Sequence, residues 1–142
     1  MHADNPWPRP DEREMNPLCV DEGVALLPWS PLARGRLARL STETTDRQRT
    51  DSVTKALYTA TSAADNKIID RVSAVAKERG VSQVQVALAW LLAKPGVCAP
   101  IVGASKVSHI DEACAALDVS LAPPEMNKLE QLYVPHKIAG HE

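Results

Sequence analysis

Two short and continuous apolar runs constrain the fold of this chain more than any other feature. Val24 to Leu27 follows Gly23, and Cys98 to Val102 follows the turn Lys94-Pro95-Gly96. Four or five apolar residues without alternation are typical of a strand that is covered on both faces, as in a parallel sheet. Since helical patterns separate the two runs, we expect parallel βαβ units.

Helical periodicity accounts for much of the remaining chain. Gly23 and Gly80 each follow such a pattern and mark a helix end, and Ser82 is a favourable N-cap for the segment after it. The residues from Gln83 onward are apolar nearly all round, which predicts a buried helix. The predicted helices are Asp11–Glu22, Asn66–Arg79, Gln83–Ala93, Val107–Leu117 and Pro123 to about Tyr133.

Two segments lack a clear period. Residues 1–10 contain three prolines and are predicted to form an extended N-terminal arm, so that the domain proper comprises residues 11–142. Residues 41–64 are rich in Ser, Thr, Asp and Arg and predict either a long functional loop or a mobile segment, in which 53–58 is compatible with one helical turn.

Composition excludes several classes of protein. The chain has 142 residues, 44% of them hydrophobic and 24% charged, and a net charge of −2, so neither nucleic acid nor an acidic membrane is an expected partner. No apolar run reaches the roughly 20 residues of a membrane span, and the N-terminus has no secretory pattern, so we expect a cytoplasmic protein. Cys19, Cys98 and Cys114 are expected to be buried free thiols, and His136 and His141 lack the spacing of a metal site.

The ends of the two apolar runs carry the chemistry of an anion site. The second run continues into Gly103-Ala104-Ser105-Lys106 and then into a helix, whose first N–H groups and dipole favour a phosphate. The first run continues into Pro28 to Gly35. Two such units in succession indicate the phosphate corner of a (β/α)8 barrel, in which the last two strand–helix loops often bind phosphate. The alternatives are an exposed lysine at Lys106 and an ordinary proline-rich turn at 30–35.

Two strands are too few for the helices that accompany them. A two-stranded parallel sheet leaves strand edges unpaired and helix faces uncovered. We therefore expect a partial α/β (β/α)8 barrel that contains the last two strands with their helices.

Four stretches of the chain carry recognisable motifs. They are PLCVDEGVALLPWSPLARGRL (17–37), VSQVQVALAWLLA (81–93), PIVGASKVSHIDEACAAL (100–117) and the tail LEQLYVPH (129–136). Together they resemble the C-terminal third of the aldo-keto reductase family, and most of all its aryl-alcohol-dehydrogenase-like branch. The resemblance covers roughly residues 11–142, in the family's order and spacing.

This resemblance implies a barrel that binds NADP(H) and reduces small carbonyl substrates to alcohols. It assigns the pyrophosphate to the loop residues Ser30, Pro31, Leu32 and Gly35. It assigns the adenosine 2′-phosphate to Gly103, Ala104, Ser105 and Lys106, with His109 and Glu112 near the adenine. His109 and Ala113 depart from the Gln or Arg and the Asn that many relatives carry there. Arg34, Arg36 and Arg39 are interpreted as a solvated loop that lines the anionic cofactor.

The resemblance implies no catalytic residue in this chain. In the family a tyrosine donates the proton with help from a lysine, a histidine and an aspartate, all in the first half of the barrel. Tyr58 and Tyr133 are the only tyrosines here, and neither lies in the family's motif. We expect no carbonyl reduction and at most weak NADPH binding by the chain alone. The alternative function is a non-catalytic interaction protein that docks onto an incomplete barrel or a partner through exposed apolar surface.

Overall fold

A computed structural model describes residues 14–42 and 62–133. The predicted arm at 1–10, the helical turn at 53–58, most of the 41–64 loop, Tyr58, and the tail with His136 and His141 lie outside these ranges. So do the first three residues of the helix predicted at 11–22.

Five α-helices and two 3₁₀ segments make up most of the described chain. The helices are α1 (Asn16–Asp21), α2 (Ser62–Arg79), α3 (Gln83–Leu92), α4 (Val107–Ala115) and α5 (Pro123–Glu130). The first 3₁₀ segment (Ala33–Ala38) lies between α1 and α2, and the second (Ala116–Asp118) directly follows α4. None of the helices in the described ranges is both long and apolar enough to span a bilayer.

The predicted helices are all present, with shifted ends. α2 begins at Ser62, four residues before the predicted start, and ends before Gly80 as predicted. Ser82 caps α3 as predicted: its hydroxyl accepts from the Gln85 N–H at 3.2 Å, and the Gln85 side chain accepts from the Ser82 N–H at 2.8 Å. The helix after Lys106 changes to 3₁₀ geometry at Ala116, a common way for the last turn of a helix to tighten.

The two predicted strands appear as extended segments that are joined at single points. Parallel bridges join Leu26 to Val97 and Trp29 to Ile101. Within the described residues, no strand extends beyond these single bridges. The backbone N–H groups of Leu26, Cys98 and Ile101 donate to Gly96, Leu26 and Pro28 at 2.7, 2.9 and 2.8 Å. The parallel pairing is therefore confirmed, whereas continuous strands are not.

Gly96 lies where the chain before the second segment passes close to α1 and to the first segment. A Cβ at this position would lie 3.0 Å from Val20 Cγ2 and 3.3 Å from Leu26 Cδ1, and its φ of +78° is unfavourable for other residues. The predicted turn before the second segment thus brings that segment close to the first.

The predicted cover on both faces of the strands is wrong for this structure. Val24, Leu27 and Ile101 are 54%, 59% and 58% exposed, because the described helices cover only part of the paired segments. The three cysteines are free thiols as predicted. Their predicted burial is wrong, because Cys98 and Cys114 are exposed and Cys19 is half-buried.

Two apolar clusters form the core, and α3 contributes to both. The larger cluster joins the first 3₁₀ segment to α2, α3 and α5, and the smaller joins α3 to the second 3₁₀ segment. The larger consists of Ala33, Leu37, Ile69, Val72, Val75, Ala76, Val86, Ala87 and Leu129. The smaller consists of Val84, Leu88 and Ala116.

Polar contacts attach α5 to the ends of α2 and α3. The indole N–H of Trp90 donates to Glu130 Oε1 at 2.9 Å, Lys94 forms an ion pair with the same carboxylate, and Lys94 Nζ lies 4.6 Å from the centre of the Trp90 ring. At the other end of the helix, Arg79 donates to Glu125 at 2.5 and 3.0 Å.

The Arg79–Glu125 pair predicts a change in acid stability. The hydrogen bonds from the Arg79 side chain and the Ala122 N–H hold the pKa of Glu125 below its ordinary value. Because this pKa is lowered in the folded state, the stabilisation is present above the ordinary glutamate pKa of about 4.3 and is lost as the pH falls through the lowered value. We expect Glu125→Gln to lower the urea midpoint slightly at neutral pH and to make it fall less steeply in acid, so that the two curves converge at low pH.

Arg79→Gln is the matched control, since it removes the donor and should have the same effect on the urea midpoint. A Glu125→Gln profile that runs parallel to that of the unmodified chain would contradict this expectation.

Candidate functional site

Parallel pairing starts two loops at the same end of the extended segments. Trp29 is bridged to Ile101, so the two extended segments separate after these residues. The first continues into Ser30 and the second into Val102. The first loop, which we call the SG loop, comprises residues 30–35. The second comprises residues 103–106 and leads directly into α4.

The SG loop has a strained backbone. Ser30, Ala33 and Arg34 have φ values of 53°, 49° and 55°, and Gly35 has a φ of 88°. The left-handed conformation costs a non-glycine residue about 1–2 kcal/mol, so three of them in five positions is unusual. Such residues cluster at ligand sites and persist only where the surroundings hold them.

Hydrogen bonds inside the SG loop close it into a tight turn. The Arg34 N–H donates to Ser30 Oγ at 3.3 Å, and the Ala33 N–H donates to the Ser30 carbonyl at 3.0 Å. The Gly35 N–H donates to the Leu32 carbonyl at 2.8 Å. Pro31 and Leu32 are half-buried, and Leu32 packs against both core clusters. Leu32 therefore also ties the loop to the core.

The second loop is open to solvent along its whole length. Gly103, Ala104, Ser105 and Lys106 are exposed, and Lys106 is the extended N-cap residue of α4 without a side-chain cap. No described residue forms an ion pair with Lys106. His109, whose N–H donates to the Lys106 carbonyl at 3.1 Å, is exposed, and Glu112 is half-buried one turn later. His109 and Glu112 are three residues apart on α4, so their side chains are neighbours on the helix surface.

The interpretation of the three arginines is wrong for Arg36. Its side chain is only 12% exposed and its Nη1 lies 2.9 Å from Asp65 Oδ2, while its Nη2 lies 3.4 Å from Asn66 Oδ1. Arg39 Nη1 donates to the Gly35 carbonyl at 3.2 Å, and Arg34 is half-buried. A short loop packed against α2 keeps these side chains close to the protein, so they do not form a solvated patch.

Asp65 is the polar residue that sequence reasoning missed. It is 4% exposed and lies on the buried face of α2, together with Ile68, Ile69 and Val72. A signal was present, since its position 65 continues the apolar spacing of the helix. A carboxylate on such a face requires a cationic partner.

Tyr133 lies away from the two loops. It lines a groove with Val20, Leu26, Lys94 and Val97, at the end of the paired segments where Leu26 meets Val97. This is the end opposite to Trp29 and Ile101.

One known protein family matches most of the chain. The model of the aldo/keto reductase family matches residues 4–134. The chain belongs to the aldo/keto reductase family. Members of this family are oxidoreductases that generally use nicotinamide cofactors, so the match agrees with the prediction of a nicotinamide cofactor.

Several fungal aldo/keto reductases are similar to the chain. Versiconal hemiacetal acetate reductase of Aspergillus parasiticus is 48% identical over 132 residues, which are 92% of this chain and 38% of that protein. The aryl-alcohol-dehydrogenase-like protein AAD16 of Saccharomyces cerevisiae is 42% identical over 91% of this chain and 37% of its own length. The chain thus spans less than two fifths of these relatives.

A solved aldo/keto reductase shares the fold. The thermostable enzyme Tm1743, in complex with the inhibitor epalrestat, superposes with a TM-score of 0.57 at 28% identity. The match covers 87% of this chain and 35% of that chain.

Proposed function

We propose that the chain is the NADP(H)-binding, C-terminal third of a (β/α)8 aldo/keto reductase and acts in the cytoplasm. In this proposal Ser30, Pro31, Leu32 and Gly35 hold the pyrophosphate. Gly103, Ala104, Ser105 and Lys106 hold the 2′-phosphate, and His109 and Glu112 lie near the adenine. The rest of the barrel, whether in the same or another chain, supplies the proton donor and the site for a small carbonyl or alcohol.

The parallel bridge between Trp29 and Ile101 carries this proposal. It makes both loops begin at the same end of the pair, as the bound phosphates of one dinucleotide require. The second loop offers exposed backbone N–H groups, the Ser105 hydroxyl and a lysine with no acidic partner among the described residues, and the SG loop adds the Ser30 hydroxyl. This donor set fits a phosphate, and hydrogen bonds between a cation and an anion are the stronger kind.

The large exposed apolar side chains fit the same proposal. Val24, Leu27, Trp29 and Ile101 belong to the two extended segments, whose neighbours in a barrel would be further strands. The missing neighbours of a barrel account for this surface, so it does not by itself favour an interaction protein.

A pair of nucleotides tests the role of Lys106. Adenosine 2′,5′-bisphosphate and adenosine 5′-monophosphate differ only in the 2′-phosphate. We expect the first to bind about tenfold more tightly, since a charged hydrogen bond contributes roughly 1.5 kcal/mol. Lys106→Ala should abolish this preference. The measurement is a titration followed by the backbone amide signals of 30–35 and 103–106 in two-dimensional NMR.

Lys77→Ala removes an exposed lysine near the end of α2 and is the matched control, which should keep the preference. Equal affinity for the two nucleotides in the unmodified chain, or shifts confined to other residues, would overturn the proposal.

A further inference from the structure

We propose that Arg36 and Asp65 are positioning residues that hold the SG loop in its phosphate-binding shape. The inference rests on the proposed function, because it assigns a task to a contact beneath the same loop. Neither residue is expected to touch the cofactor.

Three polar contacts connect the stretch after the SG loop to α2. Arg36 donates to Asp65 and Asn66, as described above, and Ser41 Oγ donates to Asp70 Oδ1 at 2.6 Å. All three acceptors lie in the N-terminal half of α2. Because α2 is packed in the core, it provides a fixed support for the loop.

Apolar contacts on either side enclose the ion pair. Ala33 and Leu37 are buried in the same cluster as Ile69 and Val72 of α2. Arg36 lies between them in the sequence and directly follows the left-handed pair Arg34 and Gly35. The ion pair is thus attached to the backbone directly after its left-handed residues.

The burial of the pair points to geometry more than to stability. The Arg36 and Asp65 side chains are 12% and 5% exposed. Removing two charges from water offsets much of their attraction, and an apolar pair of similar volume is often as stable. A planar guanidinium bound to a carboxylate does fix direction, and a strained loop requires its surroundings to fix direction.

The ion pair between Arg36 and Asp65 also determines which positive charges are available to a phosphate. Asp65 neutralises Arg36 inside the protein, so Arg36 is not available to neutralise a phosphate. Lys106 and the exposed amides of 103–106 are then left to bind the anion.

Asp65→Asn tests the inference, because it removes the charge and keeps the shape. We expect the amides of 30–35 to exchange hydrogen faster and the dissociation constant for NADP⁺ to rise about tenfold, as when the competent fraction of a site falls to about a tenth. The preference for adenosine 2′,5′-bisphosphate over adenosine 5′-monophosphate, which reports on the 2′-phosphate at 103–106, should stay unchanged, and a general loss of folding would not allow that. Asp65→Glu keeps the charge and should restore most of the affinity.

Glu125→Gln breaks an ion pair at the other end of α2 and is the matched control. It should leave the amides of the SG loop and the NADP⁺ affinity as they are. If Asp65→Asn does not fold, Arg36→Lys takes its place, since it keeps the charge and loses the planar fork.

The outcomes separate this inference from the proposed function. Unchanged NADP⁺ affinity or unchanged loop exchange in a folded variant, with binding intact in the unmodified chain, overturns the positioning role alone. Absence of binding of both nucleotides to the unmodified chain overturns the proposed function, and this inference with it.

Discussion

Carbonyl reduction is expected to be absent from the 142-residue chain and to appear when the missing part of a relative is joined to it. The fusion places the region of the Aspergillus parasiticus reductase that precedes the match before residue 4 of this chain. General acid catalysis requires a proton donor within hydrogen-bond reach of the carbonyl oxygen. Tyr133 lies at the wrong end of the paired segments, so the fusion must supply the donor.

The measurement is the loss of NADPH absorbance with an aromatic aldehyde as substrate. We expect the fusion to exceed the background by at least about a hundredfold, since a positioned acid alone contributes roughly 10²- to 10⁴-fold. In the fusion, Lys106→Ala should raise the KM for NADPH and leave kcat with NADH unchanged.

The unfused chain is the control, and we expect it to bind NADPH only weakly and to reduce no aldehyde. Aldehyde reduction by the chain alone would contradict the expected inactivity. Micromolar NADPH binding that Lys106→Ala abolishes would show that the two loops bind the cofactor without the rest of a barrel. An inactive fusion that is folded would contradict the proposed function.

Leu88→Ala is expected to lower the free energy of unfolding by about 2–5 kcal/mol, the range measured for buried leucines. Leu88 is 2% exposed and lies in the smaller core cluster with Val84 and Ala116, where Leu32 and Ala38 also pack. A cavity there separates α3 from the second 3₁₀ segment and from the chain around the SG loop. Domains of this size are stable by only about 5–15 kcal/mol, so much of the stability would be lost.

Urea unfolding followed by tryptophan fluorescence measures this effect. Leu117→Ala is the matched control: Leu117 is 73% exposed, and its loss should change the free energy of unfolding by less than about 0.5 kcal/mol. Equal midpoints for the two variants would show that α3 is not the centre of the core.

Local signals predicted the helices because their causes lie in neighbouring residues. Ser82 and Gln85 form a capping box three residues apart, and Gly80 ends α2 by its own backbone conformation. The apolar period of α3 likewise predicted its burial, with Leu88 almost fully enclosed. Such features need no knowledge of the distant chain.

Features that depend on distant contacts could not be predicted in the same way. The burial expected for Cys98 and Ile101 requires neighbours that the described residues do not supply. Arg36 and Asp65 are 29 positions apart, so only the misplaced carboxylate on α2 hints at their pairing. The residue types of the two loops led to the prediction of an anion site. That both loops begin at the same end of the paired segments became visible only with the bridge at Trp29.

The left-handed residues of the SG loop have a consequence for affinity. Glycine would adopt the same backbone at Ser30, Ala33 and Arg34 with less strain, but it would also allow many other shapes. Side chains at these positions limit the alternatives, so the loop is already ordered in the folded chain. In the proposed site, the conformational entropy of the loop is therefore lost during folding and not on binding, which would favour a higher affinity for the phosphate.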